Sequence, residues 1–224
     1  MNNNKTISRD CELCDELEGR ASRFTRIYQT SLEDRIVAST ENFVALPSIG
    51  QIGDAHIMIV SKAHETSFAQ LGAEMREEIL GLLSLIRKWL EANIGQYIVV
   101  FENGDPTGGG RMGCTISHLH LHIIASRRAL QNIDTAVLSL EGEQIQNLNS
   151  LPVINDSYSF IQLPNNYAHL IHYRLPSQTL RRIVAQEAGG ANWDWRQAER
   201  EDNLISLVHN ARVGLTQLHG QTIA

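Results

Sequence analysis

Hydrophobic and polar positions along the chain follow two periods, one typical of strands and one of helices. Short apolar runs predict a hairpin at 35–46 and strands at 56–60, 97–101 and 115–124. The strongest helical pattern covers 68–94, where apolar residues recur at steps of three and four. We therefore expect an α+β fold in which an antiparallel sheet packs on this long helix.

The pattern changes after Ser126. Residues 127–151 mix polar and helical signals. Beyond them we expect two strands and two helices, at 158–163 and 169–175 and at 176–188 and 202–219. The sequence thus predicts two units, 10–126 and 127–224, of which the second is an additional α+β extension.

Composition and charge exclude several classes of protein. The 224 residues are 42% hydrophobic and 20% charged, which is ordinary for a folded domain and excludes wholesale disorder. The formal net charge of −6 argues against a broad surface for duplex nucleic acid. No run of about eighteen apolar residues occurs, so we expect no membrane span. The polar start of the chain does not resemble a signal peptide, which predicts a cytoplasmic protein.

Three histidines at strict alternation are the strongest chemical signal in the chain. His118, His120 and His122 are separated by single apolar residues, so in a strand all three project from one face. The apolar residues between them would then pack against the long helix. Because a strand rises about 3.3 Å per residue, the outer two histidines lie about 13 Å apart, too far to share one ion. At least one of the three therefore has a different task.

A glycine-rich loop at 103–113 precedes the histidine strand. Its glycines, Gly108, Gly109, Gly110 and Gly113, allow close approach of the backbone and can point N–H groups at an anion. Histidine beside an anion site suggests phosphate chemistry, since neutral imidazole is a good nucleophile toward phosphorus. Most loops of this composition are flexible turns, so the loop alone is a weak signal.

Four motifs in the same order resemble those of the histidine triad family of nucleotide hydrolases and transferases. Residues 118–124 resemble the family's signature strand, and 54–64 resemble the strand and turn that precede it. Residues 101–104 resemble the phosphate-contacting segment, and 11–14 resemble the N-terminal zinc pair of many bacterial members. The resemblance covers roughly residues 10–125 and implies the family's antiparallel sheet.

The resemblance implies roles for individual residues. His120, the middle histidine, would be the nucleophile that becomes nucleotidylated, and His122 would contact the phosphate and steer protons to the leaving group. His118, the first of the three, would complete the catalytic triad. Asn103 would orient the site. Gly113 and Thr115 would bind the substrate phosphate, the threonine through its hydroxyl.

The third histidine also bears on the class of reaction. Uridylyltransferase-like and phosphorylase members of the family carry glutamine where this chain has His122. The resemblance therefore favours hydrolysis of a nucleoside phosphoramidate, a nucleotidyl ester or a dinucleoside polyphosphate. The alternatives are nucleotidyl transfer or phosphorolysis, and a nucleotide-binding regulatory module with little turnover. A homodimer is the family's common assembly, although the C-terminal extension could cover the sheet edge that it uses.

Two cysteines near the start of the chain are candidate metal ligands. Cys11 and Cys14 have the spacing that suits one tetrahedral zinc ion, although a buried thiol pair or a redox pair would have the same spacing. The family resemblance nominates His64 and His118 as the two further ligands. This zinc would be structural and would tie the N-terminal arm to the sheet. The third cysteine, Cys114, is expected to be a loop residue.

Polar and aromatic residues of the extension add two open questions. Arg181 and Arg182 fall in the first turns of a predicted helix, where they could bind a substrate phosphate or simply face solvent. Trp193 and Trp195 lie close together, and we expect one of them to pack into the core. Ser48 stands near the position where many family members hold the ribose with an acidic residue.

Overall fold

One antiparallel sheet organises the part of the chain that the computed structural model describes, residues 11–108, 116–173, 175–190 and 193–222. Its strands are β1 Ala38–Ser39, β2 Phe43–Pro47, β3 Ala55–Ser61, β4 Tyr97–Gly104, β5 His120–Ser126, β6 Glu143–Ile145, β7 Tyr158–Gln162 and β8 Ala168–Ile171. They lie in the order β1-β2-β3-β5-β4-β7-β8-β6. The helices are α1 Glu12–Leu17, α2 Arg23–Tyr28, α3 Ala73–Asn93, α4 Ile133–Leu138, α5 Thr179–Glu187 and α6 Asp202–Thr222. The expected α+β fold is confirmed.

One face of the sheet packs on the long helix α3, as the sequence predicted. Leu121 and Ile123 of β5 are fully buried there in one cluster with Ile79 and Ile86 of α3. Helix α6 packs beside α3 and reaches β1 and β2. Among the described residues, no helix combines the length and the apolar character needed to cross a membrane.

The opposite face of the sheet is covered at two separate places. Near β2 and β3, Leu13 and the two N-terminal cysteines pack on Val44 and Met58. Near β4 and β7, Phe101 packs with residues of α4 and α5 such as Val184. The polar residues of β3 and β5 lie between these two coverings, and this gap holds the candidate site.

The helix predicted at 68–94 and the strand predicted at 115–124 both begin later than the hydrophobic pattern suggested. The helical signal starts at Phe68, but Phe68–Gln70 form a 3₁₀ turn and Gly72 is the extended residue before α3. The predicted strand at 115–124 begins in the structure at His120.

The extension continues the same sheet. Strand β7 pairs along β4 from Val100 to Gly104, and β8 and β6 follow it outward. Strand β4 therefore has a neighbour from this chain on each side, β5 and β7. A second copy cannot extend the sheet at β4, since the open edges belong to the short strands β1 and β6.

The end of β4 is anchored by a buried carboxyl group. Glu102 accepts hydrogen bonds from the Tyr158 hydroxyl at 2.6 Å and from the Phe68 backbone N–H at 2.7 Å. A side chain at Gly104 would overlap the Tyr158 ring, which accounts for the glycine there. Burial raises the pKa of Glu102 from 4.5 to about 7, although both hydrogen bonds oppose the shift.

This raised pKa predicts a pH-dependent contribution to stability. Protonated Glu102 is favoured in the folded state, so its contribution is complete below pH 4.5 and is lost as the pH rises to about 7. Glu102→Gln is expected to remove this loss, which is about 3 kcal/mol in the free energy of unfolding. Denaturant unfolding of both proteins from pH 4.5 to 7.5 measures it. Glu77→Gln, an exposed change on α3, is the control. If it altered the pH dependence of the unfolding free energy as much as Glu102→Gln, the assignment of that dependence to Glu102 would be contradicted.

Candidate active site

Helix α1 brings two cysteines against two distant histidines. Cys11 is the N-cap residue of α1, and the Cys14 backbone N–H points at its sulfur at 3.4 Å. The Cys14 sulfur lies 3.0 Å from His64 Nδ1 and 3.4 Å from His118 Nδ1. The Cys11 sulfur lies 3.4 Å from the same His118 nitrogen. The four candidate ligand atoms all lie within 4.8 Å of one another.

This cluster fits a tetrahedral zinc ion. Bonds of about 2.3 Å to sulfur and 2.0–2.1 Å to nitrogen place such ligand atoms roughly 3.5 Å apart, near the separations found here. His118 Nε2 donates to the Ser61 carbonyl at 2.7 Å, so Nδ1 has a lone pair that can bind a metal. Burial and the neighbouring Cys11 raise the pKa of Cys14 to about 12. A cation is therefore needed to hold the Cys14 thiol as a thiolate.

The second histidine of the row has its tautomer fixed by the backbone. His120 Nδ1 lies 2.6 Å from the His118 carbonyl oxygen, which can only accept, so Nδ1 carries the proton. Its Nε2 then has the lone pair. Burial lowers the pKa of His120, and so does the positive charge of Arg181, while the bond to the His118 carbonyl opposes them. The imidazole is thus held neutral with a free lone pair, the form that a nucleophile requires.

The third histidine is bonded to a fourth, His56 of β3. His56 Nε2 lies 2.8 Å from His122 Nδ1, and the Phe101 ring stacks on His122 with centroids 4.3 Å apart. Burial lowers the pKa of both histidines well below 6.5. His56 belongs to the sequence motif at 54–64 but was not among the predicted site residues. The available signal was the two-residue period of β3, which puts His56 and Met58 on the same face. Met58 lies directly opposite His122 on β5.

A pocket opens beside His120 and His122. Its lining includes four apolar side chains, Leu13, Phe24, Ile49 and Met58. Arg35 lies in the wall, but it is paired with Glu16 at 2.7 Å and both are almost fully buried. The pocket thus combines apolar side chains, which suit a base, with two histidines that can react.

The predicted substrate-binding residues have different outcomes. Asn103 lies at the end of β4, two residues beyond Phe101 and so on the face that carries His122. Its side-chain oxygen accepts from the Ser159 hydroxyl at 2.7 Å. Gly113 and Thr115 lie outside the described residues, and their proposed phosphate contacts stay predictions.

The extension also contributes to this pocket. Arg181 of α5 and Trp195 line it together with the histidines, whereas Arg182 is exposed. Trp193 packs partly buried against the cluster of α4 and α5, in line with the expectation for one of the two tryptophans. Ser48 also lines the pocket and is 3.2 Å from Arg181 Nη1.

Comparison with known proteins decides the family. Residues 21–135, about half of the chain, match the family model for the C-terminal binding region of the scavenger mRNA decapping enzyme, a histidine-triad-like domain. The chain belongs to the histidine triad family. The resemblance read from the four sequence motifs is thereby confirmed.

Individual relatives of this histidine triad protein are distant. Human CWF19-like protein 1 is 26% identical over 177 residues, which are 71% of this chain and 31% of that protein. The chain thus spans about a third of that relative's length. A zinc-bound histidine triad family protein from Mycobacterium smegmatis is 13% identical, with 95% of this chain and 97% of that chain covered and a TM-score of 0.47. A histidine triad nucleotide-binding protein from Sulfolobus tokodaii is 14% identical, with coverages of 82% and 85% and a TM-score of 0.44.

Proposed function

We propose that this protein hydrolyses a nucleotide at its α-phosphate through a covalent nucleotidyl-histidine. The observation that carries the proposal is the pair of nitrogens at the histidine end of the pocket. His120 Nε2 has its lone pair free because Nδ1 donates to the His118 carbonyl. The adjacent His122 ring has its Nδ1 bonded to His56, so its Nε2 is left for the substrate.

The reaction takes two steps in this arrangement. His120 Nε2 forms a bond to the α-phosphorus while the bond to the leaving group breaks, and the leaving group takes a proton from His122 Nε2. His122 Nδ1 takes the proton of His56 Nε2 in the same step, so the negative charge comes to lie on His56, beside the Arg181 cation. The nucleotidylated His120 ring becomes cationic, and its bond to the His118 carbonyl stabilises that charge. Water then attacks the phosphorus, returns a proton to His122 and releases the nucleoside monophosphate.

We assign the four-residue cluster of Cys11, Cys14, His64 and His118 to a structural zinc ion. When bound, the ion supplies positive charge that stabilises two thiolates. Because His118 also carries the carbonyl that holds His120, the cluster fixes the backbone at the start of β5. Its part in the reaction is to hold His120 in position, and the bond-making groups are His120 and His122 in the pocket.

A panel of three substrates tests the proposed hydrolysis. A nucleoside phosphoramidate, a nucleotidyl ester and a dinucleoside polyphosphate are each incubated with the protein in water. Release of nucleoside monophosphate, with a nucleotide adduct in the intact mass, is the expected result. Release that requires added phosphate or sugar phosphate would instead indicate phosphorolysis or transfer. Nucleotide binding with neither adduct nor release would indicate a regulatory module.

The proposed proton donor gives a prediction about leaving groups. Glutamine at position 122 cannot give up a proton, so His122→Gln is expected to slow reactions whose leaving group needs one. The loss in kcat/KM should be roughly 10²- to 10⁴-fold for a phosphoramidate or an alkyl ester. A dinucleoside polyphosphate has a good leaving group and should lose less than about tenfold.

Steady-state kinetics on both substrates measures this difference. His209→Gln, an exposed histidine on α6, serves as the matched control and should leave both rates unchanged. Equal losses on the two substrates would show that His122 binds the phosphate without moving a proton.

A further inference from the structure

One arginine of the extension is buried in the histidine site. Arg181 lies on α5, about 60 residues beyond β5 in sequence, yet only 4% of its surface is exposed and it lines the pocket of His120 and His122. The adjacent Arg182 is exposed on the same helix. The sequence left open whether these arginines lie in the site or face solvent. The structure places Arg181 in the site and Arg182 in solvent.

Four acceptors hold the Arg181 guanidinium in one orientation. Nε donates to the Trp193 carbonyl at 2.9 Å, and Nη2 donates to the Gly50 carbonyl at 2.5 Å. Nη1 donates to the Ser48 hydroxyl at 3.2 Å and to His56 Nδ1 at 3.4 Å. Three of the four acceptors are not histidine, so the guanidinium is placed independently of His56.

Within the part of the chain that the structure describes, the charge of Arg181 has no carboxylate in direct contact. Arg35, in contrast, is paired with Glu16. Burial lowers the pKa of Arg181 only to about 10, so the group is a cation at neutral pH. A charged donor therefore faces the lone pair of His56.

A guanidinium group can donate but cannot accept, and this determines which nitrogens carry protons. His56 Nδ1 must be the acceptor, so a neutral His56 has its proton on Nε2. That proton is donated to His122 Nδ1 at 2.8 Å, so a neutral His122 has its proton on Nε2. We infer that Arg181 is a positioning residue that sets the tautomers of His56 and His122 and so makes His122 Nε2 the proton donor of the pocket.

This inference rests on the proposed function for its catalytic consequence. Without Arg181, the His56–His122 hydrogen bond can also run in reverse, with the proton on His122 Nδ1. His122 Nε2 would then present a lone pair and could not protonate a leaving group. The extension would thus act on the reaction through Arg181, which orients His56 and His122.

Ring-nitrogen NMR on the full-length protein without substrate tests the tautomers directly. The signal of a ring nitrogen that carries a proton is well separated from one with a lone pair. In the wild type we expect lone pairs on Nδ1 of His56 and His122. In Arg181→Met we expect both tautomers to be populated. Turnover of a nucleoside phosphoramidate should fall roughly 10- to 100-fold, mainly in kcat, as is typical when the partner that orients a histidine is removed.

Arg182→Met is the matched control, because it removes the same charge from the same helix at an exposed position. It should leave the spectrum and kcat unchanged. A proton on His56 Nδ1 in the wild type would overturn the inference even if Arg181→Met failed to fold. Wild-type NMR spectra as expected, together with no turnover of any substrate, would contradict the proposed function alone.

Discussion

Replacing His120 with asparagine is expected to reduce turnover by roughly 10⁴-fold or more while the fold is kept. The change removes Nε2, the nitrogen that would form the covalent bond, and water alone is a far weaker nucleophile in the same place. Asparagine can still donate a hydrogen bond toward the His118 carbonyl, so the start of β5 should stay in position. Nucleotide affinity should change little, because the apolar part of the pocket is untouched.

Intact-mass spectrometry and steady-state kinetics together check this result. The wild type should show a nucleotide adduct during turnover, and the variant should show none. His172→Asn is a suitable control, since His172 is exposed and bonded to Glu143 at 2.7 Å on the extension. Activity of the His120 variant within tenfold of the wild type would contradict the covalent mechanism.

Short-range patterns carried most of what could be predicted. Strand alternation placed His120 and His122 on one face with the intervening leucine buried behind them, and the structure agrees. The same geometry required one histidine of the row to have a different task. The structure gives that task to His118, which lies against Cys11 and Cys14 while the other two line the pocket.

Contacts between distant parts of the chain could not be predicted in the same way. Arg181 meets His56 across 125 residues, and no periodicity connects a helix of the extension to the third strand. The pairing of β7 with β4 is likewise a choice among several apolar strands that have similar patterns. Such pairings depend on packing of the whole molecule, which a sequence pattern does not contain.

The same long-range pairing bears on assembly. A homodimer built by joining sheets would need a free edge on the core strands, and β4 is already paired with β7. The expected homodimer stays a prediction, and it would have to use another surface. Light scattering of the purified chain distinguishes one copy from two.

Loss of the zinc cluster is expected to have the largest effect on stability. Elemental analysis of protein purified without chelator should find close to one zinc per chain. Cys11→Ser combined with Cys14→Ser should remove it and lower the Tm by roughly 10 °C or more, because the binding energy of a structural ion is folding energy. The cluster joins α1 to the segments that carry His64 and His118, so these contacts would be lost together.

Further comparisons separate a zinc site from a buried thiol pair or a redox pair. Cys114→Ser should keep the zinc and the Tm, since Cys114 is not a predicted ligand. His64→Ala should lose zinc as the cysteine variants do, because its Nδ1 lies 3.0 Å from the Cys14 sulfur. A redox pair would instead depend on the cysteines alone and respond to reductant. Metal-free wild type that melts at the same temperature as the loaded protein would rule out a structural role.

Turnover in the cysteine variants at temperatures well below their Tm should fall less than in His120→Asn. The reason is that the ion holds the backbone at His118, whereas the reacting nitrogen belongs to His120.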